Sequence, residues 1–291
     1  MSWRTVVVSS SAKLDYHLGF LVVRTDITTK VHLNEISVLL LESTAISLTA
    51  SLVSELLKRK IKIVFCDEKR NPCGEVISYY GSHDTSIKIR KQIVWDSAIK
   101  AAIWTEVVSD KIKKQSEFLR DLGKATEADL LKNYLEEITL GDTTNREGHA
   151  AKVYFNAIFG MNFTRTEENP INAALNYGYT IILSAFNREI VNNGYITQLG
   201  IFHDNMFNPF NLSSDIMEPF RILVDRKVYE MKPEKMDHEE KIELVNILNS
   251  DIYISERKEY VNNAIKIYTK SVLDALSEND SSLIRFYKNE L

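Results

Sequence analysis

Two stretches of the chain place reactive side chains where helices begin. In GDTTNREGHAAKVYF, residues 141–155, Glu147 stands at the onset of an apolar periodicity and is followed at once by Gly148. In LGIFHDNMFNPFNLSSDIMEPFR, residues 199–221, Asp215 and Glu218 lie three residues apart, which puts both carboxylates on one face of a helix starting there. The loop opening this second stretch carries His203 among Phe202, Met206, Phe207 and Phe210, side chains expected to anchor it on an apolar core and fix the imidazole. Carboxylates with one imidazole suit Mg²⁺ or Mn²⁺. Such an ion polarises a phosphate oxygen and activates a nucleophile, and a nearby helix N-terminus favours the anion.

Each feature also has a plain structural reading. Thr144 with Glu147, and Asp215 with Glu218, both have the spacing of a capping box. Gly148 costs a helix roughly 1 kcal/mol relative to alanine; a bare backbone there leaves room for a bulky phosphodiester to approach Glu147. Pro219 is tolerated in a first turn, whose amides need no intrahelical acceptor.

Other chemistries lack their patterns. The sequence contains neither Gly-x-x-x-x-Gly-Lys-Ser/Thr nor Gly-x-Gly-x-x-Gly, the loops that cradle nucleotides. It has no Gly-x-Ser-x-Gly elbow for an acyl-transfer nucleophile. Glu147 and His149 are two apart, so a helix splays them, and the His-Glu-x-x-His and Glu-x-x-His metal patterns are missing.

The elements that must position these residues fall into two groups. Residues 3–9, 16–24, 30–33, 37–41 and 61–66 read as strands, with a helix over 47–60, a turn at 71–74 and a last strand at 75–80. Helical periodicity follows over 86–108, 110–122, 127–138, 147–159, 169–191, 215–231, 239–248 and 257–277, with a short strand at 251–255. The expectation is an α+β chain: a small N-terminal β-rich domain over 1–80, a linker over 81–87, and a larger all-helical domain over 88–291. A chain of 291 residues suits about two domains.

Composition narrows the setting. The sequence is 44% apolar and 26% charged, with no run of 18 uncharged apolar residues and no secretory apolar core at its start, so a cytoplasmic protein without membrane contact is expected. Cys66 and Cys73 make no zinc framework and read as reduced thiols. A net charge of −4 weighs mildly against a dedicated nucleic-acid binder. The basic clusters Lys58-Arg59-Lys60, Lys88-Ile89-Arg90-Lys91 and Lys111 with Lys113-Lys114 read first as solvated faces.

Four runs carry a resemblance: Asn145-Arg146-Glu147-Gly148, Leu175-Asn176-Tyr177-Gly178-Tyr179, Gly200-Ile201-Phe202-His203 and Leu212–Arg221. In order, spacing and helix context they resemble the CRISPR-associated protein one family, the metal-dependent DNA integrases of spacer acquisition. The opening Trp3-Arg4-Thr5-Val6-Val7-Val8 and residues 14–24 look most like its type II branch. The resemblance implies a β-domain followed by a helical catalytic domain, a homodimer, and a heterohexamer with a small ferredoxin-like adaptation partner. It implies double-stranded DNA whose 3′-hydroxyls attack repeat-boundary phosphodiesters of a CRISPR array, with the type II effector nuclease and a ring-shaped DNA-end-binding protein taking part. Carried over by position, Glu147, His203 and Glu218 are the catalytic metal ligands for Mg²⁺ or Mn²⁺, and Asp215 supports the site from behind or through water. Asn145, Arg146, Asn176 and Tyr177 are then candidates for positioning DNA. Two other classes stay open: a non-catalytic DNA-bridging scaffold in which the three side chains are caps, and a small-molecule phosphohydrolase.

Overall fold

Strands rich in β-branched residues open the chain. The computed structural model describes residues 4–76, 78 and 82–288. In chain order the strands are β1 (Arg4–Val8), β2 (Ala12–His17), β3 (Phe20–Arg24), β4 (Thr28–His32), β5 (Ile36–Leu41) and β6 (Ile46–Leu48). Helix α1 (Ala50–Lys58) then leads to β7 (Lys62–Cys66) and β8 (Pro72–Val76). One sheet has the order β1-β5-β7-β8, with β5 parallel to both neighbours, and the other the order β4-β3-β2-β6. Every residue of β5 is buried, as befits a parallel strand covered on both faces. Leu39 and Leu41 pack with Leu14, Leu21 and Leu52 inside the β-rich part. Val38 and Leu40, on the opposite face, join the core of the helical part.

Local chemistry moved several expected boundaries. The single strand expected over 16–24 is a hairpin, turned at Leu18 and Gly19, both at positive φ. The helix expected from 47 starts later because Ile46–Leu48 pairs with β2, and Thr49 then accepts from Leu52 N at 3.3 Å. The turn expected at 71–74 lies earlier, since Pro72–Val76 already pairs with β7. Residues 77 and 79–81, where that strand and the linker were expected to meet, lie outside the described residues, as does Trp3.

The remainder is mostly helical: α2 (Thr85–Ile93), α3 (Ser97–Asp121), α4 (Ala125–Glu136), α5 (Arg146–Phe159), α6 (Pro170–Asn192), α7 (Asn211–Ile216), α8 (Arg221–Met231) and α9 (His238–Val245). It is not all helix. A sheet of β9 (Asp251–Ile254), β10 (Arg257–Tyr260) and β11 (Tyr287–Lys288) is built around α10 (Val261–Glu278), and only its first strand was expected. The helix expected over 86–108 is cut at Asp96, whose carboxylate accepts from Ala98 N at 2.7 Å and Ile99 N at 3.3 Å and so starts α3 afresh. From there α3 runs unbroken to Asp121, carried by the buried stripe of Ile103, Val107, Ile112 and Phe118. The helix expected over 215–231 is interrupted by a 3₁₀ turn at Glu218–Phe220, where Pro219 has no amide to give. Among the described residues no helix is long and apolar enough to cross a membrane, and Cys66 and Cys73 are both free thiols.

Candidate active site

The start of α5 is capped from an unexpected place. The amides of Arg146 and Glu147 donate to the carboxylate of buried Asp142 at 2.7 and 3.0 Å, while Asn145 sits in the left-handed region at φ 53°. Thr144 and Glu147 therefore form no capping box, and the Glu147 carboxylate is left to turn towards α3. There it takes a hydrogen bond from Lys111 Nζ. At Gly148 a Cβ would lie 2.8 Å from Oδ1 at the end of the exposed Asn145 side chain, a contact that a turn of that side chain relieves.

Glu218, 5% exposed, opens the 3₁₀ turn between α7 and α8. Its Oε2 accepts from Lys111 Nζ at 2.5 Å and its Oε1 from Arg221 Nε at 2.8 Å. One buried ammonium thus joins Glu147 to Glu218. Burial works against the charge on Lys111, but Glu218 and Glu147 outweigh it, and its pKa lies above that of an ordinary lysine. Burial likewise opposes the charge on Glu218; Arg221 and Lys111 overcome it and hold the carboxyl below its usual range.

Asp215 is no helix cap either. It lies within α7, fully buried, and its carboxylate reaches back to the histidine loop. Oδ2 accepts from Ile201 N at 2.7 Å and Phe202 N at 3.0 Å; Oδ1 accepts from His203 N at 3.1 Å and from His203 Nδ1. Gly200 permits this wrapping, because a Cβ would press on His203 O and sit 2.6 Å from Asp215 Oδ2. The expected aromatic anchor is only partly present. Phe202 stacks on Trp104 with centroids 4.3 Å apart and His203 meets Trp104 edge-on, but Met206 and Phe207 are 87% and 85% exposed. The loop is held mainly by a carboxylate. His203 keeps 45% of its side chain exposed. With Nδ1 engaged, Nε2 is the ring atom left for a ligand. The hydrogen bond to Asp215 raises its pKa, against partial burial, and Glu218 and Glu147 add to the rise.

A cavity of about 230 Å³ adjoins the two glutamates. Arg165 and Arg221 hold their guanidinium groups over the Tyr179 ring, 5.4 and 4.7 Å from its centroid. Tyr179 OH donates to Asp225, a carboxyl that burial pushes up to about 6. Gln115 lines the same cavity, its side-chain oxygen buried and without a hydrogen-bond partner.

The residues expected to position DNA are dispersed. Asn176 accepts from Arg165 Nη2 at 2.6 Å and so orients a cavity-lining arginine. Arg146 is drawn to α4, where it pairs with Glu137 at 2.8 Å and lies over Tyr134. Asn145 is exposed above Gly148. Tyr177 is a correction: it is buried in the core, where burial raises its pKa, and Lys241 rather than the glutamates lies over its ring, at 5.5 Å, so it offers no face to DNA. Lys111 and Lys114 are corrected as well; both are buried and paired rather than solvated. The signal that finds Lys111 is helical register, for it continues the Trp104, Val107, Val108 stripe of α3.

Among the described residues no three His, Cys, Asp or Glu side chains converge closely enough to hold a metal ion as they stand. The donor chemistry nevertheless fits a divalent cation. Glu147 and Glu218 already share one positive charge, and an imidazole fixed at Nδ1 by a carboxylate is the arrangement that orients a metal-binding histidine.

The family model for CRISPR associated protein Cas1 matches residues 5–253. The chain is 34% identical over 229 residues to the CRISPR-associated endonuclease Cas1 of Neisseria meningitidis serogroup C (strain 8013), across 78% of this chain and 75% of that protein. Two solved structures share the fold. One is a Cas6-RT-Cas1–Cas2 complex, at a TM-score of 0.74 and 20% identity over 99% of this chain, which spans only 36% of that one. The other is a casposase bound to integration product, at a TM-score of 0.77 and 15% identity over 97% of this chain and 93% of that one.

Proposed function

The chain belongs to the CRISPR-associated protein Cas1 family, and from that premise we propose that it is a metal-dependent DNA strand-transfer enzyme of spacer acquisition, joining a DNA 3′-hydroxyl to a repeat-boundary phosphodiester. One observation carries the reading: Glu147 and Glu218, from separate elements, meet around a single positive charge, and both act electrostatically on a histidine held by a carboxylate. Glu147, Glu218 and His203 through Nε2 would hold Mg²⁺ or Mn²⁺. Bound there, the ion supplies Lewis acidity towards the attacked phosphate.

The chain's own groups do the rest. Asp215 fixes the imidazole and its loop. Arg165 and Arg221, steadied over Tyr179, offer paired N–H donors to the phosphate oxygens of a strand entering the cavity. The Phe202–Trp104 stack lies beside His203 and offers an aromatic face to an unpaired base, worth about 1–3 kcal/mol whatever its sequence. Held geometry of this kind replaces a second-order encounter between hydroxyl and phosphorus. The scaffold alternative treats the acidic side chains as helix caps, yet Asp142 caps α5 and Asp215 binds the histidine loop.

The assembly belongs to the same reading: a homodimer, bound to double-stranded DNA with 3′ ends, and joined in a heterohexamer by a small ferredoxin-like partner. The likeness to a complex that contains Cas2 supports that partner. Participation of a type II effector nuclease and a ring-shaped DNA-end-binding protein follows from the type II likeness. Sedimentation at micromolar concentration tests the dimer, a monomer being the contrary result. For the chemistry, a branched half-integrated DNA is compared with one whose junction 3′-end is a dideoxynucleotide, each with Mn²⁺ or Mg²⁺. Strand transfer gives a rejoined duplex only from the first. Equal cleavage of both, with no rejoined strand, identifies a plain nuclease instead.

A further inference from the structure

Lys111 stands between the two glutamates proposed to bind metal. Its ammonium contacts both carboxylates, and lysine and Glu218 are only 8% and 5% exposed. A divalent ion cannot share that position with a full positive charge, since like charges a few ångströms apart repel strongly where water is scarce. Without any cation, the two carboxylates would repel each other instead. Lys111 therefore holds the site together and blocks it at once.

The same helix supplies somewhere for the ammonium to go. Gln115 is four residues further along α3, on the same face. Its buried Oε1 has no donor, although buried acceptors are almost always paired. Asp225, also buried, lines the same cavity and has one oxygen engaged by Tyr179. The cavity of about 230 Å³ gives room for movement, and a lysine side chain is a flexible four-carbon stem with three rotatable donors.

We infer that Lys111 is a two-position cation: it bridges Glu147 and Glu218 in the metal-free protein, and swings to Gln115 and Asp225 when a divalent ion takes its place. The inference rests on the reading of Glu147 and Glu218 as metal ligands. Lysine is then a built-in competitor that keeps the free enzyme assembled while setting how much metal is needed to arm it. A lysine serving only as a fixed bridge has no use for an orphaned acceptor one turn away.

The test is binding of Mn²⁺ alone to the full-length protein, by calorimetry and by the metal-dependent shift in unfolding midpoint. Lys111→Met keeps most of the unbranched stem but removes the charge; it should tighten Mn²⁺ at least tenfold while lowering the metal-free midpoint. Lys111→Arg, a bulkier cation that grips carboxylates bidentately, should weaken Mn²⁺. Gln115→Leu is the sharper variant, because Gln115 Oε1 takes no hydrogen bond from Lys111 in the metal-free state. It should weaken Mn²⁺ about tenfold while leaving the metal-free midpoint unchanged or higher, and it keeps the inference testable if Lys111→Met does not fold. Wild-type Mn²⁺ affinity in Gln115→Leu, or unchanged or weaker affinity in Lys111→Met, overturns the two-position lysine. Glu147→Gln separates the failures. If it loses Mn²⁺ while the other variants bind as wild type, the ligands stand and Lys111 is a fixed bridge. If it binds Mn²⁺ like wild type, the ligand reading falls and this inference with it.

Discussion

Asp215 commits both carboxylate oxygens to the loop that carries His203, taking three backbone amides and the imidazole. An asparagine has one acceptor oxygen, and its NH₂ would face amides that can only donate. Asp215→Asn should therefore loosen residues 201–203, visible as faster amide exchange there. Strand transfer should fall about 10–100-fold, the usual range for a partner one step behind a ligand, and extra Mn²⁺ should recover part of it. Activity as low as in Glu218→Gln, unrecovered at high metal, would instead make Asp215 a ligand. A second residue shows its character through pH. Burial raises the pKa of Asp225 from 3.8 to about 6, so the folded protein binds its proton more tightly than the unfolded chain does. The associated stability is whole below pH 4 and is lost as pH climbs through 6. Asp225→Asn cannot charge and keeps an acceptor for Tyr179. Relative to wild type it should gain stability between pH 4 and 6, levelling off near 2–3 kcal/mol, from roughly 1.4 kcal/mol per pKa unit. Urea unfolding in chelator between pH 4 and 8 measures this; a difference flat across that range refutes the assignment.

At the scale of elements, sequence spacing located α5 and α6 within a residue or two but misassigned what starts α5. The Thr144-x-x-Glu147 pattern fits a capping box, yet the chain turns through Asp142 and Asn145, both at positive φ, and presents the Asp142 carboxylate to the first amides. Spacing alone cannot see that turn. Hence Asp142→Ala should cost about 1–2 kcal/mol, the upper part of the capping range, while Thr144→Ala should cost little. The reverse order in thermal unfolding would restore the capping box. That Glu147 and Glu218 meet was legible, because residue type and motif order single them out. Lys111 was not, because charge in a sequence reads as surface, whereas α3 carries it inward between two acids. Long helices were legible by period; the breaks at Asp96 and Pro219 were not, because one side-chain hydrogen bond and one missing amide decide them. Gly178 shows the packing side of the same limit. A Cβ there would meet Val224 Cγ1 at 2.5 Å, so the glycine of a family-like motif is what lets α6 and α8 touch.

Across the whole molecule, the β-rich part keeps a core of its own, yet one face of its β1-β5-β7-β8 sheet shares the core of the helices. Val38, Leu40, Val64 and Cys66 pack with the apolar faces of the helices. Polar groups tie the same boundary: Arg188 of α6 donates to Ser37 O at 2.8 Å and to Asn262 of α10 at 3.3 Å, and it pairs with buried Glu189. Removing one partner of such a buried network leaves carbonyl and carboxylate without donors, at about 3–5 kcal/mol. Arg188→Met fills much of the same volume without the donors, so the loss reports the polar tie rather than a cavity. The shared core sets how that loss is expressed. If the two parts are one cooperative unit, the thiol of Cys66 in β7 and the fluorescence of Trp95 and Trp104 must respond at one midpoint. In a Trp3→Phe background, wild type should show that coincidence, with exposed Cys73 reacting at once and Cys66 only on unfolding. Arg188→Met should lower both signals together. A Cys66 transition that precedes the tryptophan transition would mean that the β-rich part opens by itself, and that the helices holding Glu147 and Glu218 stand without it.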